Sequence, residues 1–505
     1  MAGNLAVVVA VINEFNKLKM KKYLIYSILF LSVTTFAQTQ TATPTFKKRV
    51  LESTEVDFLA SYYVQDGSRS AVSGGIGSEK LTDIASNITI AMPLNDDDVL
   101  TVDVGISAYS SASSSNINPF NSSGASGGNG DDDDDDDRNG YANTGVSPQP
   151  YGSPWQASSG ASRSDQLVSV MANYSHSSDS RNFIWNADVS FSNEYDYTSV
   201  GFGGGVAALF NEKNTEISVK ANAYLDQWRP IYPTELHEYS KYGTNLLSQG
   251  YFNGVTVYNE NGVAATENYL PSNFKDLALT NRNSYSASFG FSQIVTKRLQ
   301  LSLFFDVLQQ QGLLSTPYHR VYFADKSNFY IGQSQFISSY ENNANTGVFK
   351  LADDIERLPN NRFKLPVGAR LNYYINEHFI LRTYYRYYSD DWNIHAHTAS
   401  IELPIKLSDK FTVFPTFRYY TQTESKFYAP YEKHLSSEQF YTSDPDLATF
   451  DTKQIGFGIN YTDIFATSKI WQFGLKNIDF RFHQYDRSDR LKASIATIAF
   501  KFIMQ

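Results

Sequence analysis

Apolar and polar residues alternate in many segments of the chain, and the last of these shows the pattern clearly. Residues 490–505 read RLKASIATIAFKFIMQ, which places Ile498, Phe500 and Phe502 on one face of an extended strand and Ala499 and Lys501 on the other. Aromatic and β-branched residues favour strands. One apolar face opposite one polar face is typical of a strand in an outer-membrane barrel. The pattern therefore predicts that residues 490–503 form the closing strand of such a barrel.

Sixteen segments have this strand-like pattern. They are residues 54–65, 80–93, 99–112, 165–176, 182–197, 200–210, 215–228, 283–295, 299–311, 364–375, 379–389, 394–407, 411–424, 453–462, 470–485 and 490–503. Short polar turns follow the even segments, whereas the long connections, among them 113–164, 229–282, 312–363 and 425–452, follow odd ones. Outer-membrane barrels have short periplasmic turns and long extracellular loops. We therefore predict an all-β fold, a transmembrane antiparallel up-and-down β-barrel of about 16 strands.

The alternation also assigns a lipid face and a lumen face to each strand, because hydrocarbon tolerates apolar side chains and not charged ones. The eleventh segment is predicted to turn Phe379, Leu381, Tyr385 and Tyr387 to lipid, and Arg382, Tyr384, Arg386 and Tyr388 to the lumen. The ninth turns Leu299, Leu301, Leu303, Phe305 and Val307 to lipid, and Gln300, Ser302 and Asp306 to the lumen. A soluble β-sandwich is the alternative, but it does not explain the segregation of short and long loops.

The N-terminal region predicts export. Residues 20–37 have a basic start, an apolar middle and a small Ala37 before Gln38, which is the pattern of a secretory signal peptide. Residues 1–19 then form an upstream extension, residues 38–53 a periplasmic tail and residues 54–505 the barrel. The predicted location is the outer membrane of a gram-negative bacterium.

Composition narrows the chemistry. The 505 residues include no cysteine, which excludes disulfides, a lipidated cysteine and thiolate metal sites. A net charge of −10 argues against nucleic acid as a partner, because phosphate binding needs a basic surface. The sequence has no phosphate loop, zinc-protease motif, nucleophile elbow or dinucleotide fingerprint in a suitable context. We therefore expect neither an enzyme nor a cofactor.

Charged residues predicted to face the lumen fall into two groups. The acidic wall comprises Glu55, Asp57, Asp83, Asp103, Asp188, Glu194 and Asp196, and the basic wall comprises Arg370, Arg382, Arg386, Arg418 and Arg481. In a barrel of sixteen strands the two groups lie on opposite sides, and opposed charges are a known device for pore selectivity. The alternative is that these charges pair across neighbouring strands and fill a plugged lumen.

Three further patterns are open to more than one interpretation. Seven consecutive aspartates, Asp131, Asp132, Asp133, Asp134, Asp135, Asp136 and Asp137, lie in the extracellular loop 113–164. Their unbroken spacing favours a solvated run, with weak binding of Ca²⁺ or other divalent cations as the alternative. His395 and His397 share a face and are predicted to point to lipid near the outer rim, with a two-point metal site as the alternative. The run from Gly201 to Gly205 predicts close approach of a loop or plug to the wall.

Several stretches carry a family resemblance. The segments GGIGSEKL and SSGASRSD, together with the C-terminal strands, resemble the bacterial outer-membrane barrel family called domain of unknown function 3570, over about Val56 to the C-terminus. The family has no established catalytic residues. Genes of this family often lie beside a thioredoxin-like protein and a flavin transferase, so the resemblance implies a link to periplasmic redox or metal handling.

The sequence thus predicts a porin-like conduit for small polar solutes or ions with a charge-polarised lumen. The alternative is a non-transporting scaffold or receptor barrel that binds partners through its loops. The expected partners are outer-membrane lipids and the barrel assembly machinery, with divalent cations at the extracellular loop and an unknown periplasmic protein as further possibilities.

Overall fold

The structure is a computed structural model that describes residues 49–110 and 164–505, except 250, 251, 253, 272, 273 and 341–346. The predicted upstream extension 1–19, the signal peptide 20–37, residues 38–48 of the tail and the run Asp131 to Asp137 lie outside the described residues.

Sixteen antiparallel strands form one closed sheet. In chain order they are β1 (Glu55–Asp66), β2 (Leu81–Pro93), β3 (Asp98–Ser110), β4 (Ser164–Ser177), β5 (Phe183–Asn193), β6 (Tyr197–Phe210), β7 (Thr215–Trp228), β8 (Asn281–Thr296), β9 (Leu299–Gly312), β10 (Asn361–Tyr374), β11 (Ile380–Asp390), β12 (His395–Glu402), β13 (Phe411–Gln422), β14 (Phe450–Thr462), β15 (Phe473–Arg487) and β16 (Lys492–Met504). Each strand pairs with its neighbours in the chain, and β1 also pairs with β16, with Asp57 opposite Lys501. The predicted barrel and its closing strand are confirmed.

Strand ends differ from prediction where a residue cannot join the ladder. The pattern predicts one strand over 394–407, but β12 ends at Glu402 and only Ile405–Lys406 resumes pairing, because Pro404 has no N–H to donate. The predicted strand 182–197 ends at Asn193, and residues 194–196 form a turn closed by a hydrogen bond from the Glu194 N–H to the Tyr197 carbonyl oxygen (2.8 Å).

The outer surface of the barrel is apolar, as the predicted faces require. On β9 the side chains of Leu303 and Phe305 are 45% and 37% exposed, and on β11 that of Tyr385 is 47% exposed. Such side chains are stable in hydrocarbon and not in water. On the opposite face of β9, Ser302 lies opposite Arg370 of β10. The same kind of cross-strand pairing identifies the lumen face of each further strand.

The hydrophobic core lies in the long loops. We call the segments 67–80, 229–280, 313–360 and 423–449 the loop cap. Its most deeply buried apolar side chains, each at most 1% exposed, include Leu236, Leu246, Val321, Phe323, Ile331, Leu351 and Ile355. Burial of several such side chains stabilises a fold by roughly 1.5–3 kcal/mol each before entropy is counted. The four segments of the loop cap are therefore a folded body and not a set of separate loops.

Short elements build the loop cap. Helix α1 (Thr234–Tyr242) follows Pro233, whose fixed φ suits a helix start, and it buries Leu236 against Phe274 and Ile355. Two small antiparallel ribbons pair Arg320–Val321 with Asp354–Ile355 and Tyr330–Gly332 with Val348–Lys350. In the described part of the chain, no helix is both long and apolar enough to cross a membrane.

Candidate functional site: the lumen and its loop cap

The register places most of the predicted wall residues on the lumen face. Starting from Lys501 opposite Asp57, the cross-strand pairs include Asp57 with Thr89 and Thr89 with Asp103. On the other side of the ring, Arg370 lies opposite Tyr384, and Arg382 opposite Glu402. β2 and β10 are eight places apart in a ring of sixteen, as are β3 and β11, so these two sets of strands face each other.

The basic wall also contains two carboxylates. Glu402 on β12 accepts a hydrogen bond from the Arg382 Nη1 (2.8 Å) and another from the Arg481 Nη1 (2.9 Å). The Nε of Arg481 also donates to Asp479 on its own strand (2.8 Å). Two of the five predicted wall arginines are therefore neutralised on the wall itself, as the alternative of charges paired across strands expects.

The absence of a side chain at Gly458 allows Arg481 and Glu402 to form an ion pair although two strands lie between them. Arg481 on β15 reaches Glu402 on β12 by lying along the wall over β14 and β13, with its guanidinium 5.1 Å from the centre of the Phe414 ring. A Cβ on Gly458 would lie 3.2 Å from the Arg481 Cγ and 3.3 Å from the Phe414 Cδ2. A larger residue at this position would lift the arginine away from the wall and towards the lumen axis.

Two of the other three arginines lie beside aromatic rings. Arg370 lies 5.7 Å from the Phe304 ring and 5.6 Å from the Tyr384 ring, and Arg386 lies 5.8 Å from the Tyr388 ring. Within the described part of the chain, no carboxylate forms a salt bridge with Arg370, Arg386 or Arg418. Rings orient a guanidinium without cancelling its charge, so these three positions keep a positive potential on β10 to β13.

The acidic wall is neutralised at its periplasmic end. Lys501 lies 2.6 Å from a Glu55 oxygen and 3.5 Å from an Asp57 oxygen, and Lys476 lies 3.5 Å from Glu55. Deeper in the barrel, the counter-charge of Asp188 within the described residues is the amine of Lys220 at 3.6 Å.

Asp83 and Asp103 of the acidic wall accept hydrogen bonds from neutral side chains. Asp103 accepts hydrogen bonds from the Asn87 Nδ2 (2.8 Å) and the Thr89 Oγ1 (2.6 Å), and Asp83 accepts one from the Ser107 Oγ (2.6 Å). Among described residues, neither has a cationic partner. Asp83 and Asp103 on β2 and β3 therefore face Arg370, Arg386 and Arg418 across the ring.

Glu194 and Asp196 lie outside the barrel wall. Both are in the turn between β5 and β6, because β5 ends before them. Asp196 accepts a hydrogen bond from the Trp228 Nε1 (3.0 Å) at the extracellular rim. Their assignment to the strand part of the acidic wall is corrected to this rim.

The glycine run on β6 accommodates side chains of neighbouring strands. A Cβ on Gly203 would lie 2.3 Å from the Asp188 Oδ2 and 2.6 Å from the Asn222 Oδ1, so a larger residue here would displace these two polar side chains. The next two strands carry small lumen-facing residues as well, since Ser218 on β7 lies opposite Gly290 on β8. Small lumen-facing residues on β6 to β8 leave space inside this side of the barrel.

Histidines of the barrel strands lie on both faces. His395 and His397 lie opposite Ser389 and Tyr387, on the outward face near the extracellular end, and the Tyr385 hydroxyl lies 2.8 Å from the His397 Nδ1. This is the rim position that the alternation predicts. His483 points to the lumen, where the absence of a side chain at Gly456 makes room for its ring.

Segments of the loop cap that start on opposite sides of the ring meet over the mouth. The loop after β1 and the loop after β9 begin eight strands apart, yet the Arg320 Nη1 donates to the Val72 carbonyl oxygen (3.4 Å). Gly74 of the first loop packs on the Tyr322 ring, and Gly75 packs on the Ser443 carbonyl of a third loop. A barrel of sixteen strands is about 30 Å wide, so these contacts mean that the loop cap spans the extracellular opening.

A buried ion pair lies at the centre of the loop cap. The Arg320 Nε lies 2.9 Å from the Glu235 Oε1, and both side chains are 1% exposed. Glu235 belongs to the loop between β7 and β8, and Arg320 to the loop between β9 and β10, so the pair joins two loops. Lys350 joins a third, because its amine contacts Glu432 and lies 4.6 Å from the Tyr431 ring.

Arg487 joins the loop cap to the barrel through ion pairs. Its side chain, 4% exposed at the upper end of β15, lies 2.5 Å from Asp446 and 3.7 Å from Glu79, which belong to two different loops. The guanidinium also lies 4.7 Å from the Phe450 ring.

Asp353 makes the stability of the loop cap depend on pH. Burial raises the pKa of Asp353 to about 6 from 3.8, although its carboxylate accepts a hydrogen bond from the Phe323 N–H (2.8 Å). The folded state thus holds a proton that the unfolded segment releases, and the free energy of unfolding falls as pH rises from about 4 to about 6. We expect Asp353→Asn to reduce this loss, as measured by hydrogen exchange of loop-cap amides at about pH 4 and about pH 7, corrected for intrinsic rates. The exposed Asp276→Asn change is the control, and equal pH dependence in all three proteins would contradict the assignment.

The family comparison agrees with the fold. The model of the family described as "Protein of unknown function (DUF3570)" matches residues 23–494 of the chain. The chain belongs to this family. The match begins upstream of Val56, where the sequence resemblance was expected to start, and it includes every barrel strand except most of β16. No curated protein matches the DUF3570 chain.

Solved structures similar to this DUF3570 protein are large barrels. A bacterial polysaccharide outer membrane secretin shares 10% identity at a TM-score of 0.37, over 89% of this chain and 98% of its own. A BenF-like porin from Pseudomonas fluorescens shares 7% identity at a TM-score of 0.35, over 90% of this chain and 100% of its own. OccK2 from Pseudomonas aeruginosa, in complex with glucuronate, shares 7% identity at a TM-score of 0.35, over 91% and 99%. The fold assignment itself rests on the closed register described above.

Proposed function

We propose that this DUF3570 protein is a conduit in the outer membrane of a gram-negative bacterium, through which small polar solutes or ions pass a charge-polarised lumen. The single observation that supports it most is the pair of opposed, unneutralised charge sets. Asp83 and Asp103 face Arg370, Arg386 and Arg418 across the ring, and the small residues of β6 to β8 leave space beside them. A transverse field in an aqueous lumen orients polar solutes and disfavours apolar ones.

The loop cap limits this conduit at its extracellular end. Its loops meet over the mouth, so a solute has to pass beside them or wait for them to move. We therefore expect a low conductance with brief openings in the intact protein, in contrast to an open porin.

Conductance and ion selectivity test the proposal. The protein is reconstituted in planar bilayers, and the reversal potential is measured in a KCl gradient. Arg386→Glu combined with Arg418→Glu replaces positive by negative lumen charge, so we expect the reversal potential to move towards cation selectivity. Lys297→Glu combined with Arg298→Glu makes the same change of net charge in an exposed periplasmic turn and should shift it much less.

A receptor or scaffold barrel is the second candidate, and the folded core of the loop cap favours it. A cap with buried ion pairs and its own hydrophobic clusters presents a defined surface to a partner, which a set of separate loops does not. If neither the intact protein nor a variant with a loosened loop cap carries current, the conduit is wrong and this second function takes its place.

A further inference from the structure

The loop cap contains a cluster of metal-ligand type that the conduit does not use. His319 and Glu356 belong to the loop between β9 and β10, and Asp444 belongs to the loop between β13 and β14. One ligand atom from each of the three side chains lies within 4.8 Å of the others. The His319 Nδ1 lies 3.6 Å from the Glu356 Oε2 and 3.9 Å from the Asp444 Oδ2.

The His319 Nδ1 is the central atom of this cluster. Among the described residues, no group forms a hydrogen bond with the His319 Nδ1, and the atom is shielded from solvent. Both neighbouring oxygens are too distant for a hydrogen bond. A buried polar atom without a partner is costly, so this nitrogen is placed to bind something that fits between it and the two carboxylates.

The rest of the cluster is held in place. The Glu356 side chain is 2% exposed, with its Oε1 accepting from the Thr316 N–H (2.7 Å) and its Oε2 accepting from the Thr442 hydroxyl. The same Thr442 oxygen accepts from the backbone N–H of Asp444 (3.0 Å), and the Asp444 Oδ1 accepts from the Asp446 N–H (2.9 Å). The Glu356 N–H donates to the His319 carbonyl (2.9 Å) beside the short ribbon, which fixes the separation of these two residues. Such outer contacts orient ligands in metal sites.

We propose that His319, Glu356 and Asp444 bind a divalent transition-metal ion such as Zn²⁺. Three ligands about 2.1 Å from a tetrahedral ion are about 3.4 Å apart, so the observed separations need to close by only a few tenths of an ångström around His319. One imidazole with two carboxylates suits Zn²⁺, Mn²⁺ or Fe²⁺, whereas Ca²⁺ prefers oxygen ligands alone. Asp444 is the most exposed of the three, which leaves an entry path and an open coordination position on its side.

The ion would link two loops of the loop cap. Its ligands come from the loops after β9 and after β13, and the second of these is also joined to the barrel through Asp446 and Arg487. Metal binding should therefore make the loop cap more rigid. This inference does not depend on the conduit, because a receptor barrel would hold the same site.

Zinc binding to the full-length protein tests the site. The protein is purified in detergent with Asp131 to Asp137 all changed to asparagine, so that the acidic run adds no background, and Zn²⁺ is titrated by calorimetry. We expect one site, at least tenfold weaker in Asp444→Asn and lost in His319→Gln. The exposed Glu260→Gln change in the same loop cap is the matched control and should bind Zn²⁺ as the parent does.

A second measurement separates binding from misfolding. Hydrogen exchange of the amides near His319 and Thr442 should slow when Zn²⁺ is added to the parent and should not change in His319→Gln. Without metal, the two proteins should exchange alike if the variant is folded. An absence of Zn²⁺ binding in the parent, or equal binding in the parent and both ligand variants, would overturn the proposal.

Discussion

Changing Glu235 to glutamine will loosen the loop cap and raise the single-channel conductance of this barrel. The Glu235 carboxylate neutralises the buried guanidinium of Arg320, and both side chains are 1% exposed. Glutamine keeps the shape and removes the charge, which leaves a buried cation without its counter-ion. Breaking a buried pair in this way typically costs about 3–5 kcal/mol. A cost of that size is a large fraction of the stability of a small folded body.

The effect should reach the barrel mouth because Arg320 also contacts the opposite loop. Its Nη1 donates to the Val72 carbonyl oxygen (3.4 Å), and this contact is one of those that span the opening. When the guanidinium moves towards water, that contact is lost. Hydrogen exchange of loop-cap amides and planar-bilayer conductance should therefore rise together, while the barrel strands stay protected.

Two further variants make this result interpretable. The exposed Glu260→Gln change removes one negative charge from the same loop and should alter neither measurement. Glu235→Leu combined with Arg320→Met removes the whole pair, and since an apolar replacement of a buried pair is often neutral or stabilising, it should restore most of the protection. Faster amide exchange in Glu235→Gln with unchanged conductance would show that the loop cap does not limit passage.

The sequence was sufficient to predict the barrel because lipid and water make opposite demands on alternate residues. All sixteen strands, the closing pair of β1 with β16 and the two faces of β11 follow from that alternation alone. The errors arose where a local feature interrupts it. Pro404 stops the ladder within the twelfth strand, and the turn after Asn193 takes Glu194 and Asp196 out of the wall.

The alternation of apolar and polar residues could not predict the loop cap, because the contacts of the loop cap are not periodic in the sequence. Arg320 and Glu235 are 85 residues apart, and no spacing rule joins them. The ion pairs of Glu402 with Arg382 and Arg481 were missed for a related reason. Its partner Arg481 lies three strands away, and only the side-chain space above Gly458 shows that the two can meet. Apolar residues such as Leu236 and Ile331 within the long connections were the signal that these segments fold.

Changing Ile88 to lysine will destabilise the barrel, whereas changing the adjacent Asn87 to lysine will not. Ile88 lies near the middle of β2, is 42% exposed on the outward face, and pairs with Phe58 and Val104 on its neighbours. A lysine there has to enter hydrocarbon, which costs about 2–4 kcal/mol at the bilayer midplane. Asn87 points to the lumen, where its Nδ2 donates to the Asp103 Oδ1 (2.8 Å). A lysine at that position gains Asp103 as a counter-charge in an aqueous lumen.

The two variants differ by one position in the chain and carry the same new charge, so they compare only the faces of the strand. Denaturant unfolding of protein refolded into lipid vesicles, followed by tryptophan fluorescence, should show a lower midpoint for Ile88→Lys and an almost unchanged one for Asn87→Lys. The reverse order would mean that β2 is displaced by one residue, since a slip of one position exchanges the two faces. Asp83 and Asp103 would then face lipid, and the opposed charges on which the conduit rests would disappear with them.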